Sequence, residues 1–345
     1  MKYSFKNDYS EIAHPRVIKA LEAVGSCQFE GYGLDEHSSN AVKLIKDIIK
    51  SNSADIHFVS GGTHANLIVL SSILRPHEAV IACDSGHISI HETGAIEATG
   101  HKVLTAFEDD GKLRTDSIDR VVKSHTDEHM VKPKAVFISH ATEIGTVYTK
   151  EELTRISRYC KEHDLYLYMD GARIASGVNS KYCDLTYADI ATLVDVFYFG
   201  GTKNGALFGE AIVLCNEEIK KDFRFSLKQR GGLLAKGAIL GIQFEELFKD
   251  GLYDSLAVYA NNAALRLAEG INESGVGFMS DVQSNQIFPI FSNELIKRLE
   301  SSYMFHKWKK VNDDSTIIRL VTSWATPVEA IESFIENLSR LNLRT

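Results

Sequence analysis

Two charged residues follow apolar runs of the kind that form buried strands. Lys203 comes after the run at 194–199 and lies among glycines, and Asp170 directly follows the run at 165–169. A lysine at the end of a buried strand is partly desolvated, which disfavours its ammonium form and frees the amine as a nucleophile. This pairing suits pyridoxal 5'-phosphate (PLP): Asp170 would keep the pyridine nitrogen protonated, and Lys203 would form the Schiff base.

A phosphate-binding loop is predicted between a strand-like run and a helix-like one. The loop contains Gly61, Gly62 and Thr63. Glycines let the backbone approach an anion, and the following helix presents unpaired amides at its positive end. On its own, the segment is more simply a helix start. It becomes a candidate phosphate site because ligands of such sheets bind at the carboxyl ends of strands, where Asp170 and Lys203 are also expected.

Three further side chains could complete a site for an amino acid. His87 follows the apolar run at 79–82 and could stack on a pyridine ring, although a hydrogen-bonded loop histidine is the simpler alternative. Arg173 stands three residues after Asp170, and Arg319 interrupts an apolar run. A bidentate substrate carboxylate would explain a buried arginine. An internal salt bridge would explain Arg319 as well.

The composition narrows the class of protein. The 345 residues are 44% hydrophobic and 24% charged, with a net charge of −8. That charge gives no electrostatic reason to expect nucleic acid or an anionic membrane as partner, and no apolar run reaches the ~20 residues that span a bilayer. Five widely spaced cysteines and the lack of a signal-like start predict a cytoplasmic protein. His125 and His129 lie in a polar stretch without the order typical of zinc motifs, so we expect no metal site.

Apolar runs alternate with helical patterns over most of the chain, which predicts an α/β fold with a mostly parallel sheet covered on both faces. A further run at 211–215 could close an edge of that sheet. From about residue 252 the pattern becomes that of a small α+β unit. We predict an N-terminal arm at 1–37, a large PLP-binding α/β domain at 38–250 and a small C-terminal α+β domain at 251–345.

These motifs resemble the threonine aldolase and β-eliminating lyase family of fold-type I PLP enzymes, over nearly the whole chain. The matching segments are 61–66, 86–95, 169–173, 202–205 and 318–322. The resemblance implies that His87 stacks on the cofactor ring and that Arg173 and Arg319 bind the substrate carboxylate. The residues assigned to the cofactor are Gly61, Gly62, Thr63, His87, Asp170, Arg173 and Lys203.

The resemblance also implies a homodimer or homotetramer with shared active sites. Tyr32 belongs to an arm that in family members reaches a neighbouring subunit's site. Asn7 stands where many members have a serine, which makes it a candidate substrate contact. Similarity alone suggests that residues 228–232, or Lys236 of the partner subunit, assist the phosphate.

One segment departs from the family pattern. Many threonine aldolases have a histidine near the substrate hydroxyl, whereas Glu143 holds that place here. Together with the stretch at 202–205, this resembles the branch that contains phenylserine and low-specificity L-threonine aldolases. The candidate base is therefore His87 or Glu143, acting directly or through water.

The implied reaction is retro-aldol cleavage of β-hydroxy-α-amino acids, such as L-threonine, L-allo-threonine or phenylserine, to glycine and an aldehyde. The nearest alternative uses the same cofactor for β-elimination or transamination of another amino acid. A second alternative is a PLP-binding regulator or scaffold without catalysis. The two substrate arginines argue against that alternative.

Overall fold

The computed structural model describes residues 2–342. Helices and strands alternate through most of them, as the apolar pattern predicts. The helices are α1 (Pro15–Ala23), α2 (Glu36–Ile49), α3 (Gly62–Ile73), α4 (His87–Ile90), α5 (Thr115–Lys123), α6 (Lys150–Glu162), α7 (Ile174–Val178), α8 (Tyr187–Leu193), α9 (Glu217–Lys220), α10 (Phe223–Gln229), α11 (Ala238–Phe248), α12 (Leu252–Glu273), α13 (Asn293–Leu299) and α14 (Val328–Asn342). The strands are β1 (Tyr3–Ser4), β2 (Asp55–Val59), β3 (Glu78–Cys83), β4 (Lys102–Ala106), β5 (Lys132–Ser139), β6 (Tyr166–Asp170), β7 (Val196–Gly200), β8 (Glu210–Leu214), β9 (Gln286–Ile287), β10 (Ile290–Ser292), β11 (Tyr303–Met304), β12 (His306–Lys310) and β13 (Ser315–Val321).

A seven-stranded sheet of order β2-β8-β7-β6-β5-β3-β4 forms the centre of the fold. The five strands from β7 to β4 are parallel, and β8 is antiparallel to both of its neighbours. The run at 211–215 therefore does not close an edge. It lies inside the sheet, and β2 forms the edge, because an apolar run shows that a strand is buried but not which strands flank it.

Both faces of this sheet are covered. Successive residues of β3 belong to two different cores: Ala79 and Ile81 pack on one face, and Val80 and Ala82 on the other. Helices α2, α6 and α11 cover the first face, and α3 and α10 cover the second. Burial on both sides explains why the strands read as continuous apolar runs.

The C-terminal part has its own core, formed by α12 and α14 against the small antiparallel sheet of β9, β10, β12 and β13. The N-terminal segment joins it. β1 pairs with β11, Phe5 is buried in this core, and the Val321 amide donates to the Phe5 carbonyl at 2.9 Å. The chain then crosses to the large sheet, where the His14 amide donates to the Gly205 carbonyl. The division into three domains stays a prediction.

Candidate active site

The candidate site lies at one edge of the large sheet. β2, β3, β5, β6 and β7 point the same way, so the segments that follow them meet at their carboxyl ends. β8 runs the opposite way and brings its first residue, Glu210, to the same edge. A cavity of about 430 Å³ opens there. Its wall includes Gly61, Gly62, Thr63, His87, His91, Asp170, Lys203 and Glu210.

Lys203 is partly buried, three residues beyond the end of β7. Burial lowers the pKa of its ammonium group, and the positive charge of Arg173 lowers it further. The nearby carboxylates act in the opposite direction but do not outweigh these effects. The neutral amine, which is the form that attacks a carbonyl carbon, is therefore more accessible than in an exposed lysine.

Asp170 is buried at the end of β6, and its carboxylate accepts three hydrogen bonds. Oδ1 accepts from the Tyr198 hydroxyl at 2.5 Å and from the Ala172 amide at 2.9 Å, and Oδ2 accepts from the Asn66 side chain at 3.2 Å. These contacts fix the carboxylate against the cavity wall. A buried, fixed carboxylate is what a protonated ring nitrogen requires as a partner.

A hydrogen-bonded chain connects Asp170 to His87. Asn66 donates from the same side-chain nitrogen to Glu92 Oε1 at 2.7 Å, and His87 Nδ1 lies 2.7 Å from that oxygen. The Tyr168 hydroxyl donates to Asn66 Oδ1, which sets the orientation of the amide. Burial alone would lower the pKa of His87, but the hydrogen bond to Glu92 and the charge of Asp170 raise it overall.

The predicted phosphate loop leads into α3. Gly61 precedes α3, and no side chain caps the first amides of this helix. A Cβ added at Gly61 would meet nothing within 4 Å, so free space adjoins those amides. Open amides at a helix start bind phosphate. The amine of Lys203, the carboxylate of Asp170, the imidazole of His87 and this loop together fit PLP.

Arg173 is held by the N-terminal segment. Its Nε donates to Asp8 Oδ2 at 2.7 Å, and its Nη2 donates to Asp8 Oδ1 at 3.0 Å. Asn285 donates to Asp8 Oδ2 at 2.9 Å. Burial would raise the pKa of Asp8, but the charges of Arg173 and Lys203 hold it below its usual value.

Arg319 has no carboxylate partner among residues 2–342. Its Nε is buried without a hydrogen-bond partner, and its guanidinium lies 5.3 Å from the centre of the Trp308 ring. Burial lowers its pKa to about 10, with a further contribution from the charge of Arg173. The internal salt bridge that would explain Arg319 is therefore absent in the described chain, and the guanidinium is available to an added carboxylate.

Arg173, Arg319 and three further predicted site residues lie elsewhere than on this cavity wall. Glu143 is buried, and its Oε1 accepts from the His87 amide at 2.9 Å and from the Ser139 hydroxyl at 2.8 Å. Burial and the charge of Asp170 raise the pKa of Glu143. Asn7 Oδ1 accepts from the Tyr9 amide and the Ser10 hydroxyl, so it caps a local turn.

The segment around Asn7 therefore approaches the site through its neighbours: Asp8 binds Arg173, and Tyr9 lines the cavity. Tyr32 is 43% exposed and lines a smaller, separate cavity. The Lys228 ammonium lies 4.6 Å from the centre of its ring. The site of a single chain thus does not include Tyr32.

Glu210, Asn66, Glu92 and Asp8 belong to the site but were not predicted from the sequence. Glu210 accepts from the Gly201 amide and the Thr202 hydroxyl, both at 2.9 Å, and burial raises its pKa to about 8. For Glu210, the sequence signal was a charged residue directly before the apolar run at 211–215. Asn66, Glu92 and Asp8 gave no such signal, because each contacts a residue that is distant in the sequence.

Neither a metal cluster nor a membrane span is found in the described chain. No group of three or more histidine, cysteine or acidic side chains in residues 2–342 could hold a metal ion. None of the helices described there is long and apolar enough to cross a bilayer.

Comparison with known proteins gives consistent matches over most of the chain. The model of the β-eliminating lyase family matches residues 20–294. The low-specificity L-threonine aldolase of a Pseudomonas strain is 34% identical over 86% of each chain. The structure of a Leishmania major threonine aldolase is 49% identical, covers 99% of both chains and superimposes with a TM-score of 0.97. The structure of a mutant aspartate aminotransferase from Thermus thermophilus is 16% identical and superimposes with a TM-score of 0.72, over 99% of this chain and 91% of that one. At that identity the likeness shows the fold alone, which is that of fold-type I enzymes.

Proposed function

This chain belongs to the β-eliminating lyase family, and on that basis we propose that it is a PLP-dependent aldolase of β-hydroxy-α-amino acids. It is a carbon–carbon lyase that cleaves L-threonine, L-allo-threonine or phenylserine-like substrates to glycine and an aldehyde. The observation that carries this proposal is the meeting of Lys203, Asp170 and His87 with the start of α3 in one cavity. Its threonine aldolase relatives support this reaction over β-elimination or transamination.

The chain's own residues have separate roles towards the cofactor. Bound PLP supplies a carbonyl that condenses with amines and a conjugated ring that accepts the electron pair released at Cα. Lys203 would hold it through Nζ, Asp170 would partner its ring nitrogen, and His87 would stack on its ring. The amides that follow Gly61 would bind its phosphate. Burial raises the pKa of Glu210, which favours its protonated form and reduces the negative charge beside Asp170.

Two arginines orient the substrate through its carboxylate. Asp8 occupies one edge of the Arg173 guanidinium through Nε and Nη2, and these two hydrogen bonds do not involve Nη1. Arg319 contributes a second guanidinium that lacks a carboxylate partner in the described chain. With the carboxylate held by both, the Cα–Cβ bond is presented in a fixed direction relative to Asp170 and Lys203.

A product assay tests the function. The purified protein is supplied with PLP and then with L-threonine, L-phenylserine or L-tyrosine. We expect glycine and an aldehyde from the first two substrates and no cleavage of the third. Ammonia with 2-oxobutyrate from L-threonine, or with pyruvate and phenol from L-tyrosine, would instead indicate β-elimination.

A labelling experiment tests the attachment residue. Borohydride reduction of the loaded protein, followed by digestion and mass spectrometry, should place a pyridoxyl group on Lys203. The Lys203→Ala variant serves as the control and should remain unlabelled. A label on a different peptide would contradict the assignment.

A homodimer or homotetramer with shared sites is part of the proposal. Tyr32, Leu34 and Phe225 are 43%, 61% and 77% exposed, and such apolar side chains are typical of surfaces that pair with another subunit. Light scattering gives the mass in solution. If Tyr32 serves a neighbouring subunit, mixing inactive Tyr32→Ala and Lys203→Ala proteins should restore part of the activity. A cytoplasmic location remains the expectation from the sequence.

A further inference from the structure

His91 stands at the mouth of the cavity without a role in the proposed function so far. It directly follows α4, and its amide donates to the His87 carbonyl at 2.9 Å. The two rings lie on one side of this turn, with centroids 5.6 Å apart. His91 is exposed and lines the same cavity as Lys203 and Asp170. A substrate entering the cavity therefore meets its imidazole.

Two of the three substituents at the substrate Cα have proposed partners elsewhere in the site. The amine of an amino acid is directed to the cofactor on Lys203, and the carboxylate to Arg173 and Arg319. The charges of His87, Arg319, Lys203 and His306 all act on His91, and His306 is the strand partner of Arg319. The side chain that carries the β-hydroxyl is then left to face the rest of the cavity wall, which includes His91.

The environments of the two histidines push their protonation in opposite directions. Burial lowers the pKa of His91, and the positive charges of its neighbours lower it further. The pKa of His87 is raised, because its hydrogen bond to Glu92 and the charge of Asp170 outweigh burial. Neighbouring titratable groups with diverging pKa values are typical of an acid and base pair. His91 is the member whose neutral form, which can accept a proton, is favoured.

The other candidates are less suited to this step. Glu143 already accepts two hydrogen bonds at Oε1, and its raised pKa makes it a poorer supplier of the carboxylate form. Tyr9 also lines the cavity, but a phenol binds a hydroxyl rather than removing its proton at neutral pH. Glu143 is better placed to hold the backbone of His87.

We propose that His91 is the general base that removes the proton of the substrate β-hydroxyl. This inference rests on the retro-aldol function proposed above. The O–H bond breaks and its proton passes to the imidazole, while the oxygen electron pair forms the second bond of the aldehyde carbonyl. The Cα–Cβ bond breaks, its electron pair stays at Cα, and a proton returned there completes glycine.

Two reactions of the same loaded enzyme separate this role from a structural one. Cleavage of L-threonine needs the hydroxyl proton to leave, whereas exchange of the glycine α-proton with deuterated water does not. We expect His91→Phe and His91→Gln to lower the cleavage rate roughly 10²–10⁴-fold, which is the usual contribution of a general base, and to change glycine exchange less than about threefold. Added imidazole should partly restore cleavage in His91→Ala.

His129→Phe is the matched control, because this exposed histidine lies in a surface loop away from the cavity. It should leave both reactions unchanged. The cleavage rate of the parent enzyme should decline as the pH falls below the ordinary histidine range, and this acid limb should be lost in His91→Gln.

A measurement on the cofactor-free protein adds a readout independent of activity. Nuclear magnetic resonance titration of the histidine rings should show His91 losing its proton at lower pH than His87. Equal losses of cleavage and exchange, a Glu143→Gln variant that loses cleavage while His91→Phe keeps it, or the reverse order of titration would overturn the inference. If the parent enzyme forms no glycine from threonine, the proposed function fails instead.

Discussion

The carboxylate of Asp8 grips one edge of the Arg173 guanidinium through two hydrogen bonds, of 2.7 and 3.0 Å. Asp8 is itself almost fully buried and is held from its other side by Asn285. A guanidinium with one edge bound to the protein cannot rotate, yet keeps donors for a second carboxylate. In the proposed function, Asp8 therefore orients Arg173 towards the substrate carboxylate.

Removing Asp8 should weaken substrate binding. We expect Asp8→Ala to weaken the affinity of the loaded enzyme for glycine about 10-fold to 100-fold, since hydrogen bonds to charged groups contribute about 1.5–3 kcal/mol. The maximal rate at saturating threonine should change less. Spectroscopic titration with glycine measures the affinity. Asp313→Ala, which removes a fully exposed acid, is the control.

Tighter glycine binding in Asp8→Ala would contradict this orienting role. If Asp8 competed with the substrate for Arg173, its removal would tighten glycine binding. Asp8→Asn keeps the size of the side chain and serves as the second variant where Asp8→Ala folds poorly.

Arg319→Met should separate folding from binding. Because Arg319 has no carboxylate partner within residues 2–342, replacing it by an apolar side chain of similar length should leave the urea stability of the cofactor-free protein unchanged or higher. Glycine affinity of the loaded enzyme should fall at least tenfold. A large loss of stability with intact glycine binding would indicate a structural arginine.

The phosphate loop can be tested with a single methyl group. At Gly61 an added Cβ meets no protein atom within 4 Å, so Gly61→Ala should change the stability of the cofactor-free protein by less than about 1 kcal/mol. It should weaken PLP binding at least tenfold, because the methyl group enters the space assigned to the phosphate. Gly277→Ala, also with open space around its Cβ, is the control. Unchanged PLP affinity would place the phosphate elsewhere.

Glu92 should control the protonation of His87. Glu92→Gln removes the charge but keeps a side-chain oxygen near His87 Nδ1, so the pKa of His87 should fall. Nuclear magnetic resonance of the cofactor-free protein, with histidine rings labelled, follows this directly. The titration of the distant His129 should not move. A His87 titration that is unchanged would mean that Asp170 rather than Glu92 dominates.

His140 should make the protein sensitive to acid. It is fully buried, its Nδ1 accepts from the Tyr148 amide, and burial lowers its pKa from 6.5 to about 4. Between pH 6.5 and 4, His140 is therefore protonated in the unfolded chain but not in the folded chain. Stability is therefore lost as the pH falls from 6.5 to 4, by roughly 3 kcal/mol from this residue.

Urea unfolding of the cofactor-free protein at several pH values measures this loss. His140→Asn retains an acceptor for Tyr148 but cannot take up the proton, so its stability should fall less steeply over the same range. An identical slope in the parent and the variant would assign the acid sensitivity to other groups.

The residues proposed to bind the cofactor could be located from the sequence because each lies at the end of a strand or shortly after it. Parallel strands buried on both faces produce apolar runs, and polar side chains directly after them gather at one edge. Lys203, Asp170, His87 and Gly61 all obey this rule, and they line one cavity. The sequence pattern therefore predicts those parts of the candidate site that lie at strand ends.

The remaining parts depend on neighbours that a pattern does not reveal. β8 reads as an apolar run, but its direction and its place between β2 and β7 decide that Glu210 faces the site. Helix α11 is apolar on nearly all sides, so it shows no helical periodicity to detect. Asn66 and Glu92 matter because of a hydrogen-bonded chain that forms only in three dimensions.

The contacts of the N-terminal segment with C-terminal residues have a consequence for folding during synthesis on the ribosome. Asp8 is held by Asn285, and Phe5 by Val321, so the partners of this segment emerge long after Arg173 does. A nascent chain can assemble the central sheet, with Arg173, while Asp8 still lacks Asn285 and Phe5 still lacks Val321. The contacts that would prepare Arg173 to bind an amino acid are thus completed late, after the C-terminal strands have been synthesised.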